Sequence, residues 1–208
     1  MHDNLKNSNL YIVFGPSGAG KTSLVRQLVA DNPAVACSVS YTTRAMRPGE
    51  VDGVHYHFVD IPTFEAMKSR GDFLEYAEVF GNFYGTSEPA VRTQLASDTH
   101  VVLEIDWQGA RQVRERFADA ISICILPPSR KELEVRLNSR GQDDAAVIAK
   151  RMAAAQAEMA HYSECDYLVI NKDYDSALEQ LRQLLAIGDL CIRLQKMRHQ
   201  SMIAELLA

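Results

Sequence analysis

One stretch near the start of the chain has the residue types and spacing of a phosphate-binding loop. It reads Gly15-Pro16-Ser17-Gly18-Ala19-Gly20-Lys21-Thr22 and matches the pattern G-x-x-x-x-G-K-[ST]. Glycines let the backbone curl until its N–H groups point inward at a polyphosphate, and a helix N-terminus adds the positive end of its dipole. The pattern predicts that Lys21 reaches the β- and γ-phosphates and that the Thr22 hydroxyl binds Mg²⁺. It therefore indicates a nucleoside triphosphate site.

The residues on either side of the loop supply the elements that this motif needs. Leu10 to Phe14 form an apolar run typical of a buried strand, and Ser23 to Val29 have the pattern of a helix. An ordinary glycine turn is the alternative. The strand before the loop and the helix after it favour the phosphate loop.

A second cationic loop follows the next predicted strand, which covers residues 34–40. Arg44 and Arg47 lie between hydroxyl residues and the turn-forming pair Pro48-Gly49. Arginine forks bind phosphate oxygens bidentately, so the loop is a candidate anion clamp separate from the first. A solvated loop with two ordinary arginines would have the same sequence, and the residues alone do not decide between these readings.

Two further groups of polar residues could serve the same site. The buried-strand run Val101 to Asp106 ends in carboxylates, and Asp106 either holds Mg²⁺ through water or caps the next helix. After Ser129, Arg136 and Arg140 share a helix face, Gly141 interrupts, and Arg151 follows in a second helix. Such a pair predicts a closing lid, with a solvated charged helix as the alternative.

The order of the other predicted elements favours an α/β fold. Strands are predicted over residues 54–59, 73–80, 121–126 and 167–170, and a turn over 81–86. Helices are predicted over 61–70 with Thr63 as cap, over 89–96, over 109–117, and after Asn171 to the C-terminus with a joint at Gly188. The short strands between 54 and 86 predict a small sheet inserted into a phosphate-loop core.

Composition excludes several classes of protein. The net charge of −5 over 208 residues argues against a general affinity for nucleic acid. No segment has 18 consecutive apolar residues, and residues 1–9 lack an apolar signal-peptide region, so we expect neither a membrane span nor a secretion signal. The 4 cysteines are widely spaced without a zinc pattern, which is typical of buried thiols in the cytoplasm. Homo-oligomer formation stays open.

Several sequence blocks in order carry a family resemblance. They are GPSGAGKT, SVSYTTRAMRPGEVDGVHY, FLEYAEVFGNFYGT, LEIDWQG, RLNSRG and AAAQAEM. On these blocks the chain resembles guanylate kinases along nearly its whole length. The resemblance implies a parallel-sheet core of residues 1–36, 89–127 and 164–208. It also implies a GMP-binding subdomain of residues 37–88 and a helical lid of residues 128–163.

The resemblance also assigns roles to individual residues. It implies GMP contacts from Ser40, Arg44, Arg47, Tyr56, Glu75, Tyr84, Thr86 and Asp106, where the position of Thr86 is often serine. It implies ATP contacts from Gly15, Pro16, Ser17, Gly18, Ala19, Gly20, Lys21, Thr22 and Asn171. The implied catalytic residues are Lys21, Arg44, Arg136, Arg140 and Arg151, and the implied Mg²⁺ ligands are Thr22 and, through water, Asp106.

The chemistry of guanine and phosphate fits these assignments. A single carboxylate at Glu75 can accept from the guanine N1–H and N2–H₂ groups, while Thr86 can donate to O6. The acceptor is a phosphate oxygen whose second pKa is about 6, so no general base is needed. The implied reaction transfers the γ-phosphate of ATP to GMP, and also to dGMP, with Mg²⁺ as cofactor.

Two other functions remain to be weighed. A GTPase switch would explain Asp106-Trp107-Gln108-Gly109 as D-x-x-G, but Asn171-Lys172 does not complete N-K-x-D because Tyr174 is the fourth residue. A non-catalytic guanylate-kinase-like binding module is the second alternative. Such modules lose the working phosphate loop, which is intact here.

Overall fold

The computed structural model describes residues 8–138 and 145–208. The strands are β1 (Leu10–Phe14), β2 (Val35–Cys37), β3 (Tyr41–Thr42), β4 (His57–Phe58), β5 (Phe73–Val79), β6 (Asn82–Ser87), β7 (His100–Glu104), β8 (Ile121–Leu126) and β9 (Tyr167–Ile170). The helices are α1 (Lys21–Asp31), α2 (Ile61–Arg70), α3 (Glu88–Ala96), α4 (Trp107–Arg116), α5 (Arg130–Asn138), α6 (Ala145–Met159), α7 (Tyr174–Asp189), α8 (Ile192–Arg198) and α9 (Gln200–Leu206).

The centre of the fold is a five-stranded parallel sheet in the order β2-β7-β1-β8-β9. Alternate residues of β1 face opposite sides of this sheet, and both sides are buried. Tyr11 and Val13 pack with α1 and α7, while Ile12 and Phe14 pack with α3 and α4. Because the strands are parallel, the ends of β1, β7, β8 and β9 meet at one edge, where ligands of such sheets bind.

A second sheet lies between β2 and α3 in the chain, in the order β4-β3-β6-β5. Strands β5 and β6 form an antiparallel hairpin, and α2 covers the sheet through Phe64, whose ring stacks on Phe73 at 4.5 Å and on Phe83 at 5.5 Å. The α/β fold class predicted from the sequence, with an inserted small sheet, is confirmed.

Some local predictions were wrong. The turn was predicted over residues 81–86, but residues 82–87 form β6, because the reversal takes place at Phe80 and Gly81, whose φ angles are 51° and 76°. The strand predicted over 54–59 is limited to β4. Asp60, not Thr63, caps α2: its carboxylate accepts a 2.9 Å hydrogen bond from the Thr63 backbone N–H.

The C-terminal helix also divides at a different residue from the predicted joint. Gly188 lies inside α7, where a Cβ would collide with the Tyr11 hydroxyl oxygen. This glycine therefore allows α7 to approach β1 closely, and the helix ends only at Asp189, with Leu190 as its C-cap. Among the described residues, no helix is both long and apolar enough to cross a membrane.

Candidate active site

The phosphate loop curls at three glycines with positive φ angles, Gly15 (137°), Gly18 (89°) and Gly20 (95°). Gly15 must be a glycine for a second reason, because a Cβ there would collide with the Ile125 carbonyl oxygen. Helix α1 begins at Lys21. The Lys21 ammonium donates to the carbonyl oxygens of Gly15 (2.5 Å) and Pro16 (3.1 Å), which holds its charge over the loop.

Asn171 supports the loop from the end of β9. Its side-chain amide donates a 2.7 Å hydrogen bond to the Ala19 carbonyl, and only 5% of the residue is exposed. Arg136 of α5 in turn donates to the Asn171 carbonyl at 3.0 Å. The described contacts of Asn171 are therefore with the loop itself, and its contact with ATP stays a prediction.

A carboxylate that the sequence analysis did not assign lies beside the predicted metal ligand. The Thr22 hydroxyl donates a 2.5 Å hydrogen bond to Glu104 Oε1, at the end of β7. Asp106, predicted either to hold Mg²⁺ through water or to cap the next helix, does cap α4: its carboxylate accepts from the Gly109 backbone N–H at 2.8 Å. Hydroxyl and carboxylate oxygens are ligands that Mg²⁺ prefers, so the side chains of Thr22, Glu104 and Asp106 have the chemistry that the ion needs.

Three predicted GMP-binding residues are joined by hydrogen bonds in a buried pocket. Thr86 donates to Glu75 Oε1 at 2.5 Å, and its hydroxyl lies 3.3 Å from that of Ser40. Glu75 is only 3% exposed. A Cβ on Gly109 would lie 2.5 Å from Glu75 Oε2, so α4 can approach this carboxylate only because residue 109 is glycine. Burial, with the Asp106 charge, raises the pKa of Glu75 to about 7 despite the Thr86 hydrogen bond.

The predicted anion clamp is organised by an acidic residue that the sequence analysis also missed. Arg44 donates to Glu50 Oε1 at 2.8 Å and to Oε2 at 3.0 Å, and the Arg47 backbone N–H donates to Oε2 at 2.7 Å. These hydrogen bonds hold the pKa of Glu50 below its usual value, because they favour its charged form. Glu50 therefore fixes the two arginine positions relative to each other.

Aromatic residues surround the Arg44 guanidinium. It lies 5.5 Å from the ring centre of Tyr56, and the rings of Tyr56 and Tyr84 meet edge to face at 5.9 Å. Burial raises the pKa of Tyr56 to about 12, so its hydroxyl keeps its proton and can donate to an anion. The clamp thus joins a guanidinium and phenol groups around one small space.

Helix α5 packs directly on the phosphate loop, and α6 packs on α5. A Cβ on Gly18 would lie 2.9 Å from the Leu133 side chain and 3.1 Å from that of Leu137, both in α5. Those leucines form a small buried cluster with Met152 and Ala155 of α6. Near the end of α6, burial raises the pKa of Glu158, and the charge of Lys21 lowers it. Arg151 lies in α6, whereas Arg140 lies outside the described residues.

Comparison with known proteins decides the family. The family model for guanylate kinase matches residues 7–187. A guanylate kinase of Vibrio parahaemolyticus is 55% identical over 201 residues, which cover 96% of this chain and 97% of the relative. One from Alkalilimnicola ehrlichii is also 55% identical, over 198 residues that cover 95% of this chain and 96% of the relative. The crystal structure of guanylate kinase from Anaplasma phagocytophilum superposes with a TM-score of 0.74 at 31% identity, covering 89% of this chain and 87% of that chain.

The chain belongs to the guanylate kinase family. The resemblance drawn from the sequence blocks is therefore confirmed, and so is the prediction of a phosphotransferase enzyme. Neither the GTPase switch nor the non-catalytic binding module is favoured by these relatives. The roles of the individual site residues stay predictions.

Within this guanylate kinase, the acidic residues that sequence reasoning missed share one property. Glu50 and Glu104 each form a hydrogen bond with a predicted site residue rather than completing a motif of their own. The signal for Glu104 was present, since the strand run was seen to end in carboxylates. Glu50 lies inside a quoted family block, but no spacing rule connects it to Arg44.

Proposed function

We propose that this chain transfers the γ-phosphoryl group of ATP to GMP, and also to dGMP, giving ADP and the nucleoside diphosphate. The observation that carries the proposal is a pair of separate anion-binding groups in a member of the guanylate kinase family. One is the phosphate loop around Lys21, and the other is the Arg44 clamp beside the Glu75 pocket. A reaction between two nucleotides requires two such groups.

On the ATP side, we assign the triphosphate to the backbone N–H groups of residues 15–22 and to the Lys21 ammonium. The positive φ angles of the glycines give the loop the curl that such a cradle needs. The Asn171 side chain holds the loop through the Ala19 carbonyl. We also assign a contact with ATP to Asn171. Thr22 follows at the first turn of α1, as the motif requires.

On the GMP side, Glu75, Thr86 and Ser40 are proposed to read guanine. When ionised, Glu75 can accept from the guanine N1–H and N2–H₂ groups, and the Thr86 hydroxyl can turn to O6. Asp106 lies close enough to Glu75 to raise its pKa and is assigned to the same nucleotide. These contacts do not involve the 2′-hydroxyl of the ribose, which fits use of dGMP as well.

The GMP phosphate is assigned to the Arg44 and Arg47 side chains with the hydroxyls of Tyr56 and Tyr84. Glu50 and the two rings orient Arg44, so little conformational freedom remains to be lost when a phosphate binds. Arg47 is exposed, and its side chain can turn toward the same phosphate. Phosphate recognition by arginine forks and phenol groups is strong because the hydrogen bonds are charge-assisted.

Mg²⁺ is the proposed cofactor, with the Thr22 hydroxyl as a direct ligand and Glu104 and Asp106 as holders of its water molecules. When bound, the ion supplies positive charge to the phosphate oxygens. The 2.5 Å hydrogen bond between Thr22 and Glu104 supports this assignment, since it brings a hydroxyl oxygen and a carboxylate oxygen together beside the loop.

Catalysis in this proposal is positioning and charge stabilisation. A GMP phosphate oxygen is already largely ionised at neutral pH and needs no base. Lys21 and the lid arginines Arg136, Arg140 and Arg151 neutralise charge on the transferring group, while the lid helices exclude water that would otherwise hydrolyse ATP. Of these arginines, Arg136 already lies beside the loop through Asn171.

The proposed division of the chain follows the two sheets. Residues 1–36, 89–127 and 164–208 would form the core, residues 37–88 the GMP-binding subdomain, and residues 128–163 the lid. All the strands of the second sheet fall between 41 and 87, which supports the first boundary pair. A cytoplasmic location belongs to the same proposal, since the four cysteines are free thiols, as in a reducing compartment.

One coupled assay tests the function. Formation of ADP is measured with ATP and Mg²⁺ alone and then with GMP, dGMP, AMP, CMP or UMP. We expect rapid ADP formation only with GMP and dGMP. Consumption of GTP without an acceptor would instead indicate a GTPase, and failure to bind ATP would indicate a binding module.

A further inference from the structure

Helix α4 is fixed on one face to the strand that carries Glu75. The Gln112 amide accepts a hydrogen bond from the Tyr76 backbone N–H at 3.1 Å and donates one to the Tyr76 carbonyl at 2.9 Å. Gly109, one turn earlier on the same face, packs against the Glu75 carboxylate. The position of α4 therefore follows the position of the pocket proposed for guanine.

On the opposite face, α4 holds a residue of the proposed lid. The indole of Trp107 stacks on the imidazole of His161, with the ring centres 3.7 Å apart and the ring planes 12° from parallel. The Arg111 guanidinium lies 4.6 Å from the Trp107 ring centre. Trp107 and Arg111 are four residues apart, so they project from the same side of the helix. Because His161 comes two residues after the end of α6, the stack joins α4 to the end of that lid helix.

The chain just after the stack is also attached to α4. Arg111 donates to the two Glu164 carboxylate oxygens at 2.7 and 2.6 Å, and His161 Nδ1 lies 2.7 Å from Glu164 Oε1. Arg114 donates to the Glu164 carbonyl at 2.6 Å and to the Asp166 carboxylate at 3.2 Å. The two arginines hold this segment whatever side chain follows α6, and the aromatic stack extends the attachment back to the lid.

We propose that Trp107 and His161 are positioning residues for phosphoryl transfer. Their stack sets the end of α6 relative to the pocket that holds GMP, and α6 carries the lid arginine Arg151. A helix that is fixed at one end keeps the residues along it in a defined place, so the stack aligns Arg151 with the transferring group. The inference rests on the proposed function, because it assumes that transfer takes place between ATP and GMP.

The stack should matter for the rate of transfer rather than for the binding of either nucleotide. Gly109 and Gln112 keep α4 against the strand of Glu75, and Asn171 holds the phosphate loop, so both binding groups have supports apart from the stack. Loss of the stack leaves these supports in place but allows the end of α6 to shift. A misplacement of about 1 Å can lower a rate by about 10²-fold, since the reacting groups are then out of alignment.

Two exchanges of His161 separate the stack from the neighbouring hydrogen bond. His161→Phe keeps a ring against Trp107 and gives up the contact with Glu164. His161→Gln keeps a side-chain donor for Glu164 and removes the ring. His199→Gln makes the same change at an exposed position and is the matched control. Single-turnover transfer, with the protein in excess over ATP and with GMP varied, gives the maximal rate and the half-saturating GMP concentration.

We expect the maximal rate to fall by about 10–100-fold in His161→Gln. His161→Phe and His199→Gln should stay close to the unaltered protein, and the half-saturating GMP concentration should be the same in all four proteins. Trp107 is the one tryptophan of the chain, so its fluorescence reports the stack. The emission maximum should move to longer wavelength in His161→Gln, because the indole face becomes exposed to water.

Three results would overturn the positioning role. The first is an unaltered rate in folded His161→Gln. The second is an equal loss of rate in His161→Gln and His161→Phe, which would assign the effect to the hydrogen bond with Glu164. The third is a raised half-saturating GMP concentration without a fall in the maximal rate, which would mean that the stack serves the binding of GMP.

The two proposals can fail separately. Transfer from ATP to GMP by the unaltered protein is measured in the same series. If that transfer is absent, the proposed function fails and the positioning role fails with it. If the unaltered protein and His161→Gln transfer phosphate equally fast, only the positioning role fails. The stack then contributes to stability alone, which thermal unfolding of the same variants measures.

Discussion

The Thr86 hydroxyl donates a 2.5 Å hydrogen bond to Glu75 Oε1, and the carboxylate that accepts it is only 3% exposed. Burial, with the nearby charge of Asp106, raises the pKa of Glu75 to about 7. A residue proposed to read guanine is therefore held in a place that disfavours its own charge. The protein loses stability there, and the bound guanine would restore hydrogen bonds to the charged form.

The first prediction concerns stability and pH in the Glu75→Gln variant. The folded pKa of about 7 lies above the ordinary value of 4.5, so the contribution of Glu75 to stability is present below pH 4.5 and is lost as the pH rises to 7. Above pH 7 this loss is about 3 kcal/mol. We therefore compare the unfolding free energy of Glu75→Gln with that of the unaltered protein at each pH. This difference should shift in favour of the variant by about 1–3 kcal/mol when the pH is raised from 5 to 8.

Urea unfolding at the two pH values measures this difference. Glu78→Gln is the matched control, because Glu78 lies exposed on the same strand. A difference between Glu75→Gln and the unaltered protein that is the same at pH 5 and pH 8 would contradict the raised pKa.

The second prediction concerns the choice of base. Glutamine at position 75 keeps the shape but replaces one acceptor oxygen with an amide donor, which opposes a guanine N–H group and suits the unprotonated N1 of adenine. We expect kcat/KM for GMP to fall by about 10²-fold or more, since sites built on hydrogen bonds reject unmatched partners strongly. The GMP/AMP ratio should narrow while ATP affinity is unchanged. An unaltered ratio would mean that other groups read the base.

The third prediction separates the two anion-binding groups. Arg44→Ala removes the guanidinium that Glu50 and Tyr56 hold in place, and it leaves Glu50 without its 2.8 Å ion pair. We expect KM for GMP to rise by about 10–100-fold, the size of a lost charge-assisted contact of ~1.4–3 kcal/mol. KM for ATP should stay the same.

Arg70→Ala is the control for that experiment. Arg70 is an exposed arginine in the same part of the chain, and its ion pair with Asp72 lies on the surface. Steady-state kinetics with each substrate varied in turn makes the comparison. If KM for ATP rises as much as KM for GMP in Arg44→Ala, the division into two sites is wrong.

The fourth prediction concerns Mg²⁺. Glu104→Gln keeps an acceptor for the Thr22 hydroxyl but removes the negative charge beside it. We expect the Mg²⁺ concentration for half-maximal activity to rise by about 10-fold or more, because supporting groups of metal sites typically matter by 10–100-fold. Glu115→Gln, an exposed charge change on α4, is the control and should follow the unaltered protein. Equal Mg²⁺ dependence in Glu104→Gln would remove Glu104 from the metal site.

The fifth prediction concerns Lys21. Its ammonium lies over the loop through hydrogen bonds to Gly15 and Pro16, and methionine has a similar length without charge. We expect Lys21→Met to remain folded, with kcat lower by about 10²–10³-fold or more, because a charge aimed at the transferring group is lost. Thermal unfolding confirms the fold, and single-turnover transfer measures the rate. Near-normal turnover in a folded variant would refute the assigned role.

Local sequence patterns predicted the elements that carry most of the site. The strand Leu10–Phe14, the loop after it and helix α1 appear where the pattern placed them, because a phosphate loop is one continuous segment whose glycines set its own backbone angles. Helix α2 was also predicted with its correct bounds, and Gly71 ends it with a φ of 74°. The N-cap of α2 was predicted wrongly, because Thr63 and Asp60 are both good capping residues and only the backbone geometry selects Asp60.

The sequence by itself thus determined the phosphate loop, the order of strands and helices and, through its blocks, the family. Only the tertiary structure decided which acids face the site. Glu104 reaches Thr22 across 82 residues of chain, and Gly109 leaves room for Glu75 because α4 crosses β5 at that point. These pairings depend on how separate elements pack, and packing is set by the buried faces of many residues together rather than by the spacing within one segment.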